Sequence, residues 1–348
     1  MILKGKNYQT VLILGSGATR GALSHVLLNR KRIRPPLNSD FFSIAARFAS
    51  ACGPTSAEAR RLQRLNTVFR EYLPTARDSL TMESAFSLLF MAKDFPDIYS
   101  RRRGRQRAPG NGREIEDFLR LTFGILTILD CPASTHTEYD ALVNALGPGD
   151  TIITLNYDTL LDTALVTKGW DPRNGYAIGG SASKFRWSPR TIDPNLRNVR
   201  LLKLHGSLNW FVRGSFSDLA AVFQKKPTSI ERPRRNEIGR HVRQIVPPIY
   251  GKFFGHDHWR VLWSAAYKAL REAEALIVVG CSLIDTDFHL RALIGRITRS
   301  RKPNPFRRVV LADRVVVRRK WTRALKGAFR RRSEYATFSE LMQREVRS

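Results

Sequence analysis

Four short polar clusters in this chain each follow an apolar run. Gly15-Ser16-Gly17-Ala18-Thr19 follows residues 10–14, and Asn156-Tyr157-Asp158 follows residues 151–155. His205-Gly206 follows residues 200–204, and Gly280-Cys281-Ser282-Leu283 follows residues 275–279. A glycine turn that opens a helix lets backbone approach a phosphate and offers helix N–H groups to it. A histidine titrates near neutral pH and suits a general base. Asparagine and aspartate side chains hydrogen-bond sugar hydroxyls and amides. Each cluster also has a plain structural reading. A G-x-G turn occurs wherever strand meets helix, Asp158 can cap the helix that follows it, and His205 can be a satisfied core residue. Asp285 and Asp287 can likewise be helix caps. The order of the clusters, each at a strand end, is what joins them. In an open parallel sheet, ligands bind beyond the carboxyl ends of the strands.

The elements that must hold these clusters alternate between apolar strands and helices, with a further strand at residues 308–312 and Asp313 at its end. That alternation predicts an α/β fold, a Rossmann-like doubly wound parallel sheet. The chain reads as one domain over 1–348, with a core of residues 1–36 and 150–313. Residues 1–36 read as strand, glycine turn and helix, closed by Pro35-Pro36. Residues 38–148 read as a helical insertion, because Phe41, Ile44 and Phe48, then Leu62, Leu65 and Phe69, recur at helical spacing. Its segment from Arg101 to Gly112 is a basic, Gly-containing break. Residues 314–348 read as a basic helical tail, in which Val317, Trp321, Leu325 and Phe329 form an apolar stripe.

The formal net charge is +29, with 45 Arg against 14 Lys. Residues 318–332 carry eight cations and no acid. Such a surface fits non-specific contact with DNA through phosphate neutralisation, an acidic protein partner, or simple solvation. No apolar stretch reaches about 18 residues, so no membrane contact is expected. The N-terminus lacks a signal-peptide pattern. Three scattered cysteines, Cys52, Cys131 and Cys281, fit a cytoplasmic location without disulfides and leave no pair for structural zinc.

The four clusters together resemble those of the sirtuin superfamily, in particular its sirtuin-like bacterial antiphage branch. Gly15-Ser16-Gly17-Ala18-Thr19 looks like the family's Gly-Ala-Gly-x-Ser turn, and Thr154-Leu155-Asn156-Tyr157-Asp158 is similar to its Thr-Gln-Asn-x-Asp. Leu204-His205-Gly206 matches its Leu-His-Gly, and Gly280-Cys281-Ser282-Leu283 resembles its Gly-Thr-Ser-Leu. The resemblance implies NAD as substrate and no metal. It implies that Asn156 orients the ribose and a water, that Asp158 bonds the nicotinamide carboxamide, and that His205 is the general base. It places Gly15, Ser16, Gly17, Ala18 and Thr19 at the phosphates, and Gly280, Ser282 and Asp313 on the adenosine side. Departures bear on the outcome. Leu155 stands where the family has glutamine, and the four-cysteine zinc module of protein deacylases is missing, with the helical insertion in its place. The resemblance then implies an NAD⁺ glycohydrolase, a triggered antiphage effector. A sirtuin-type deacylase and a non-catalytic NAD- or nucleic-acid-binding module are the alternatives. It further implies a homo-oligomer or a HerA-type ATPase partner. Because three dispersed cysteines cannot form a four-cysteine site, elemental analysis of the purified chain should find no stoichiometric zinc, and chelators should change neither its melting temperature nor its activity.

Overall fold

The computed structural model describes residues 8–73, 80–94, 112–129, 137–178, 191–213, 219–221, 241–247, 249 and 257–347. The basic break at 101–111, Cys131 and most of the basic stretch at 213–243 lie outside the described residues. The chain divides into two compact units, residues 1–23, 130–246 and 253–348 in the first, and 24–129 with 247–252 in the second.

The first unit is built on a six-stranded, wholly parallel sheet. Its strands are β1 (Thr10–Leu14), β4 (Thr151–Thr154), β5 (Arg200–Lys203), β9 (Ala275–Val279), β10 (Phe306–Ala312) and β11 (Phe329–Tyr335), in the order β11-β10-β9-β1-β4-β5. Every residue of β1, β4 and β9 is buried, as expected of strands covered on both faces. The chain leaves β1 toward β4 and β5 on one side, and runs from β9 to β10 and β11 on the other, so the order reverses at the β1–β9 pair. Helices α1 (Ser16–Ala22), α6 (Thr137–Ala145) and α12 (Phe338–Met342) pack with one another, and α7 (Leu160–Thr167) packs on α6. Helices α9 (Asp257–Glu272), α10 (Phe288–Ser300) and α11 (Val315–Ala324) form a second packed series. A short antiparallel sheet of β6 (Gly206–Arg213), β7 (Leu219–Ala221) and β8 (His241–Ile245) springs from the end of β5. The expected doubly wound α/β sheet is the observed one.

The second unit holds the hairpin β2 (Val26–Leu28) and β3 (Lys31–Ile33) and helices α2 (Phe41–Cys52), α3 (Ala57–Tyr72), α4 (Met82–Asp94) and α5 (Arg113–Leu129). Phe118 is its centre. Its ring lies 4.1 Å from Phe86, 5.0 Å from Phe41 and 5.6 Å from Phe42, centroid to centroid. Asp117 beside it receives a two-pronged bond from Arg64, at 2.8 and 2.9 Å, which offsets burial of the carboxylate.

Three boundaries differ from the sequence reading. After α1 the chain forms the hairpin, not a long helix, because Asn29 and Arg30 both take left-handed backbone angles (φ 46 and 64) in a two-residue turn. Residues 137–145, read as part of the insertion, belong with the sheet. The C-terminal segment is not one helix. α11 ends at its cap Leu325, Gly327 turns the chain at φ 83, and Phe329 begins a strand parallel to β10.

A buried polar chain supports the carboxyl end of the sheet. Lys203, 1% exposed at the end of β5, donates to Asp162 Oδ2 at 2.9 Å and to the main-chain oxygen of Asp158. Asp162, equally buried, also accepts from the Tyr176 hydroxyl, which in turn is met by the Asn209 amide at 3.4 Å. Trp170 and Trp210 cover Tyr176 edge-on, at 5.1 and 5.2 Å. Removing one partner of a buried ion pair strands the other charge, at a cost of about 3–5 kcal/mol. Lys203→Met should therefore lose about that much stability in urea unfolding. Lys203→Met combined with Asp162→Leu should lose less, because no isolated charge remains. A single variant within about 0.5 kcal/mol of wild type, the range common for surface changes, would refute this role for the pair.

Candidate functional site

The four polar clusters meet along the carboxyl edge of the parallel sheet. Register places them at one level: Leu14 pairs with Thr154 and with Val279, Thr154 with Lys203, and Val279 with Ala312. Asn156 and His205 therefore each lie two residues beyond a paired position on neighbouring strands. Gly15, Gly280 and Asp313 each lie one residue beyond theirs.

The tightest feature of this edge is a backbone contact between the β1 and β9 turns. Gly15 N donates to Val279 O and Gly17 N donates to Gly280 O, both at 3.0 Å. A Cβ on Gly15 would fall 2.4 Å from Gly280 O, and one on Gly280 only 2.0 Å from Ala18 N. Gly280 also needs its left-handed φ of +58. These glycines thus serve contact between two turns. The sequence reading gave them to a pyrophosphate, but the N–H groups of Gly15 and Gly17 are already engaged. Ser16 is exposed at the start of α1, whereas Ala18 is buried.

Thr19, read as a phosphate contact, is engaged within the protein. It is 2% exposed, its hydroxyl donates to Asp158 Oδ2 at 3.0 Å, and it lies 3.0 Å from the Tyr139 hydroxyl. The Asn156 amide donates to Thr19 Oγ1 at 2.9 Å and to Gly15 O at 3.0 Å. Thr154 holds the approach, its hydroxyl donating to Leu14 O and accepting from Asn156 N. With the amide hydrogens of Asn156 engaged, its side-chain oxygen is the group left to meet a ligand or a water. The side chain is partly exposed, as contact with a ligand requires.

Asp158 does not present its carboxylate outward. One oxygen accepts from Thr19 and the other from Leu160 N at 3.3 Å, at the first turn of α7. Burial raises its pKa above the ordinary carboxylate value, and the nearby Lys203 ammonium only partly opposes that. Burial and the Asp158 charge together raise the Tyr139 phenol well above its usual pKa, so it keeps its hydrogen as a donor. The geometry thus favours the capping reading of Asp158 over a carboxamide contact.

His205 sits where β5 gives way to β6. Gly206 turns the chain with φ +84, and His205 O accepts from Val246 N at 2.8 Å. The imidazole is buried, with the Tyr157 ring 6.5 Å away by centroid and Asp287 Oδ2 3.6 Å from its Nε2. Ser282 is exposed on the β9 turn. Asp313 ends β10, where its carboxylate accepts from Arg314 N at 2.6 Å and burial raises its pKa. These two share the edge with the other residues, but no hydrogen bond among the described residues links them to Asn156 or His205. Cys281 is a buried thiol pushed up to about 12 by desolvation, which makes it inert as a nucleophile. No group of three or more metal-ligating side chains occurs among the described residues.

Sequence reasoning missed Tyr139, Asp162 and Lys203, and read Asp287 only as a cap. The signal for two of them was present, since Lys203 and Asp162 are charges inside otherwise apolar runs. Tyr139 carried no such mark.

Residues 150–328, just over half of the 348, match the model of the SIR2-like domain family. No match is found among curated proteins. Among solved structures, the chain resembles a Sir2 homologue in complex with NAD, at 11% identity and a TM-score of 0.38, covering 98% of this chain and 89% of that one. It also resembles a Sir2 complex with a p53 peptide and NAD⁺, at 13% identity and a TM-score of 0.41, covering 97% and 91%. The matched span takes in Asn156, Asp158, His205, Gly280, Ser282 and Asp313, and on the strength of that match the chain belongs to the SIR2-like domain family.

Proposed function

We propose that this protein cleaves the nicotinamide–ribose bond of NAD⁺ with water as acceptor, giving ADP-ribose, nicotinamide and a proton. The observation that carries the reading is the joint placement of Asn156 and His205 at the ends of adjacent strands, with Asn156 fastened to the β1 turn. Family membership makes NAD the substrate to test first. Breaking the glycosidic bond builds positive charge on the sugar. The catalyst must hold the ribose, let nicotinamide leave, and direct a water to the opposite face. Fixed by two bonds through its amide, Asn156 offers an oxygen of set direction for that water or for a ribose hydroxyl. His205 takes the proton that the attacking water loses. Asp158 enters as a support, holding Thr19 and so Asn156, and the adenosine half is assigned to the Gly280–Ser282 turn and Asp313.

Hydrolysis is favoured over deacylation by the cysteine count, because three cysteines cannot supply the zinc module that shapes an acyl-lysine groove. A triggered antiphage role, a homo-oligomer and a HerA-type ATPase partner complete the proposal, since an NAD-depleting activity must be held in check.

Incubating the pure protein with NAD⁺, with and without an acetylated peptide, should release free ADP-ribose in both cases. His205→Ala should lower that turnover by about 10²–10⁴, the usual weight of a general base, in a protein that circular dichroism shows to be folded. Release that depends strictly on the peptide would replace this reading with deacylation. Near-normal turnover by a folded His205→Ala protein would remove His205 from the mechanism.

A further inference from the structure

We infer that Asp287 is the positioning residue of His205, a buried carboxylate that fixes the imidazole and stabilises it once it has accepted a proton. The inference rests on the reading of His205 as the base. Asp287 occupies the residue before α10, the place where an aspartate ordinarily accepts from the N–H groups of the first turn. Its side chain makes no such capping bond. Its Oδ2 instead lies 3.6 Å from His205 Nε2, with the two side chains 2% and 6% exposed. That distance is an ion-pair contact, longer than a hydrogen bond, and contacts of this kind tighten as the reaction proceeds. An opposite charge stabilises a carboxylate buried to this degree, and His205 comes to carry one once it has accepted the proton of the step.

The placement is not accidental to the edge of the sheet. Asp287 closes the turn that begins at Gly280, and Gly280 is locked against Gly15 and Gly17. The same backbone contact therefore aligns Asn156, through Gly15 O, and Asp287, through its own turn. Among the described residues, the titratable groups set against the His205 ring are Asp287 from the turn before α10 and Tyr157 from the β4 turn. Lys203, two residues back on β5, is turned to Asp158 and Asp162.

In the step concerned, the water oxygen bonds to the anomeric carbon as the glycosidic bond breaks, and its electron pair leaves with nicotinamide. The proton released by the water passes to the His205 imidazole. The Asp287 carboxylate faces the resulting imidazolium, and does not itself take the proton, as in other histidine–carboxylate pairs.

The test uses the full chain with histidine labelled at Cε1, the His205 resonance being identified by its loss in His205→Ala. Asp287→Asn keeps the shape and removes the charge, and Asp287→Ser keeps capping chemistry should the first variant fold poorly. An opposite charge this close shifts a histidine by about one pH unit or more. The His205 titration should therefore move down by about one pH unit in either folded variant. The acid limb of kcat/KM for NAD⁺ cleavage should move down with it, and kcat should fall about tenfold or more. An unmoved His205 titration in a folded variant overturns the inference, whatever the activity. A moved titration in a protein whose wild type cleaves no NAD⁺ upholds the pairing and removes the hydrolase reading instead.

Discussion

The contact on which the edge of this sheet depends is made of backbone alone. Where the β1 and β9 turns cross, Gly280 lies so close to Gly15, Gly17 and Ala18 that no side chain fits on any of the three glycines. It falls at the β1–β9 pair, where the strand order reverses and where ligands of doubly wound folds bind. A contact without side chains has no rotamers to adjust, so the relative position of the two turns is fixed by hydrogen bonds of 3.0 Å. Asn156 takes one of its bonds from this structure through Gly15 O. Asp287 inherits its place from the other turn. Asn156 and the Asp287 turn are thereby referred to a single rigid junction.

Beneath that junction the protein tolerates an unusual amount of buried polarity. Tyr139, Thr19, Asp158, Lys203, Asp162 and Tyr176 form a connected series, and Asp158 and both tyrosines are shifted upward by burial. For Asp158 the sign follows from the raised value. Stability tied to its neutral form is present at low pH and is lost as pH rises through the folded pKa, so ionised Asp158 opposes folding. An apolar core of equal volume would be easier to stabilise. Such a network persists where its members hold something in place, and here Thr19 accepts from the Asn156 amide. Stability of the network and geometry of the candidate site are the same property seen from two ends.

Much of this was legible in the sequence, for physical reasons that also explain the failures. Buried parallel strands are continuous apolar runs, and glycine at their ends marks close backbone approach, so β1, β4, β5, β9 and β10 and their turns could be read directly. His205 and Asn156 stood out because polar residues at strand ends face the cleft. The contact between the glycine turns was not legible, since a sequence shows that backbone must come close but not to what. The bonds of Thr19 were hidden for a related reason, because a hydroxyl on a helix that opens a phosphate-type turn looks the same whether it faces solvent or Asp158. Tyr139 was illegible, being an ordinary tyrosine on a helix 120 residues from its partner. The hairpin at Asn29-Arg30 was hidden because arginine is a poor residue for a left-handed angle.

The C-terminal charge gains a meaning from the element it lies on. Residues 318–332 looked like one cationic helix, yet Arg330, Arg331 and Arg332 belong to β11, at the open edge of the sheet. Those three arginines are exposed or partly so, and none of the seven residues of β11 is fully buried. An edge strand invites pairing with another chain, and charged side chains along it are a common defence. Arg332 and Arg318 both reach Glu334, at 3.0 and 3.3 Å, and Arg308 on the neighbouring strand pairs with the buried Glu345. The part of the cationic run on β11 is of the kind that keeps a terminal strand from recruiting partners edge to edge. That requirement holds whether or not the surface also meets DNA or an acidic protein. A partner that used this face would have to approach the arginine side chains rather than extend the sheet, because at the edge strand the charge opposes the one geometry that backbone pairing would otherwise favour.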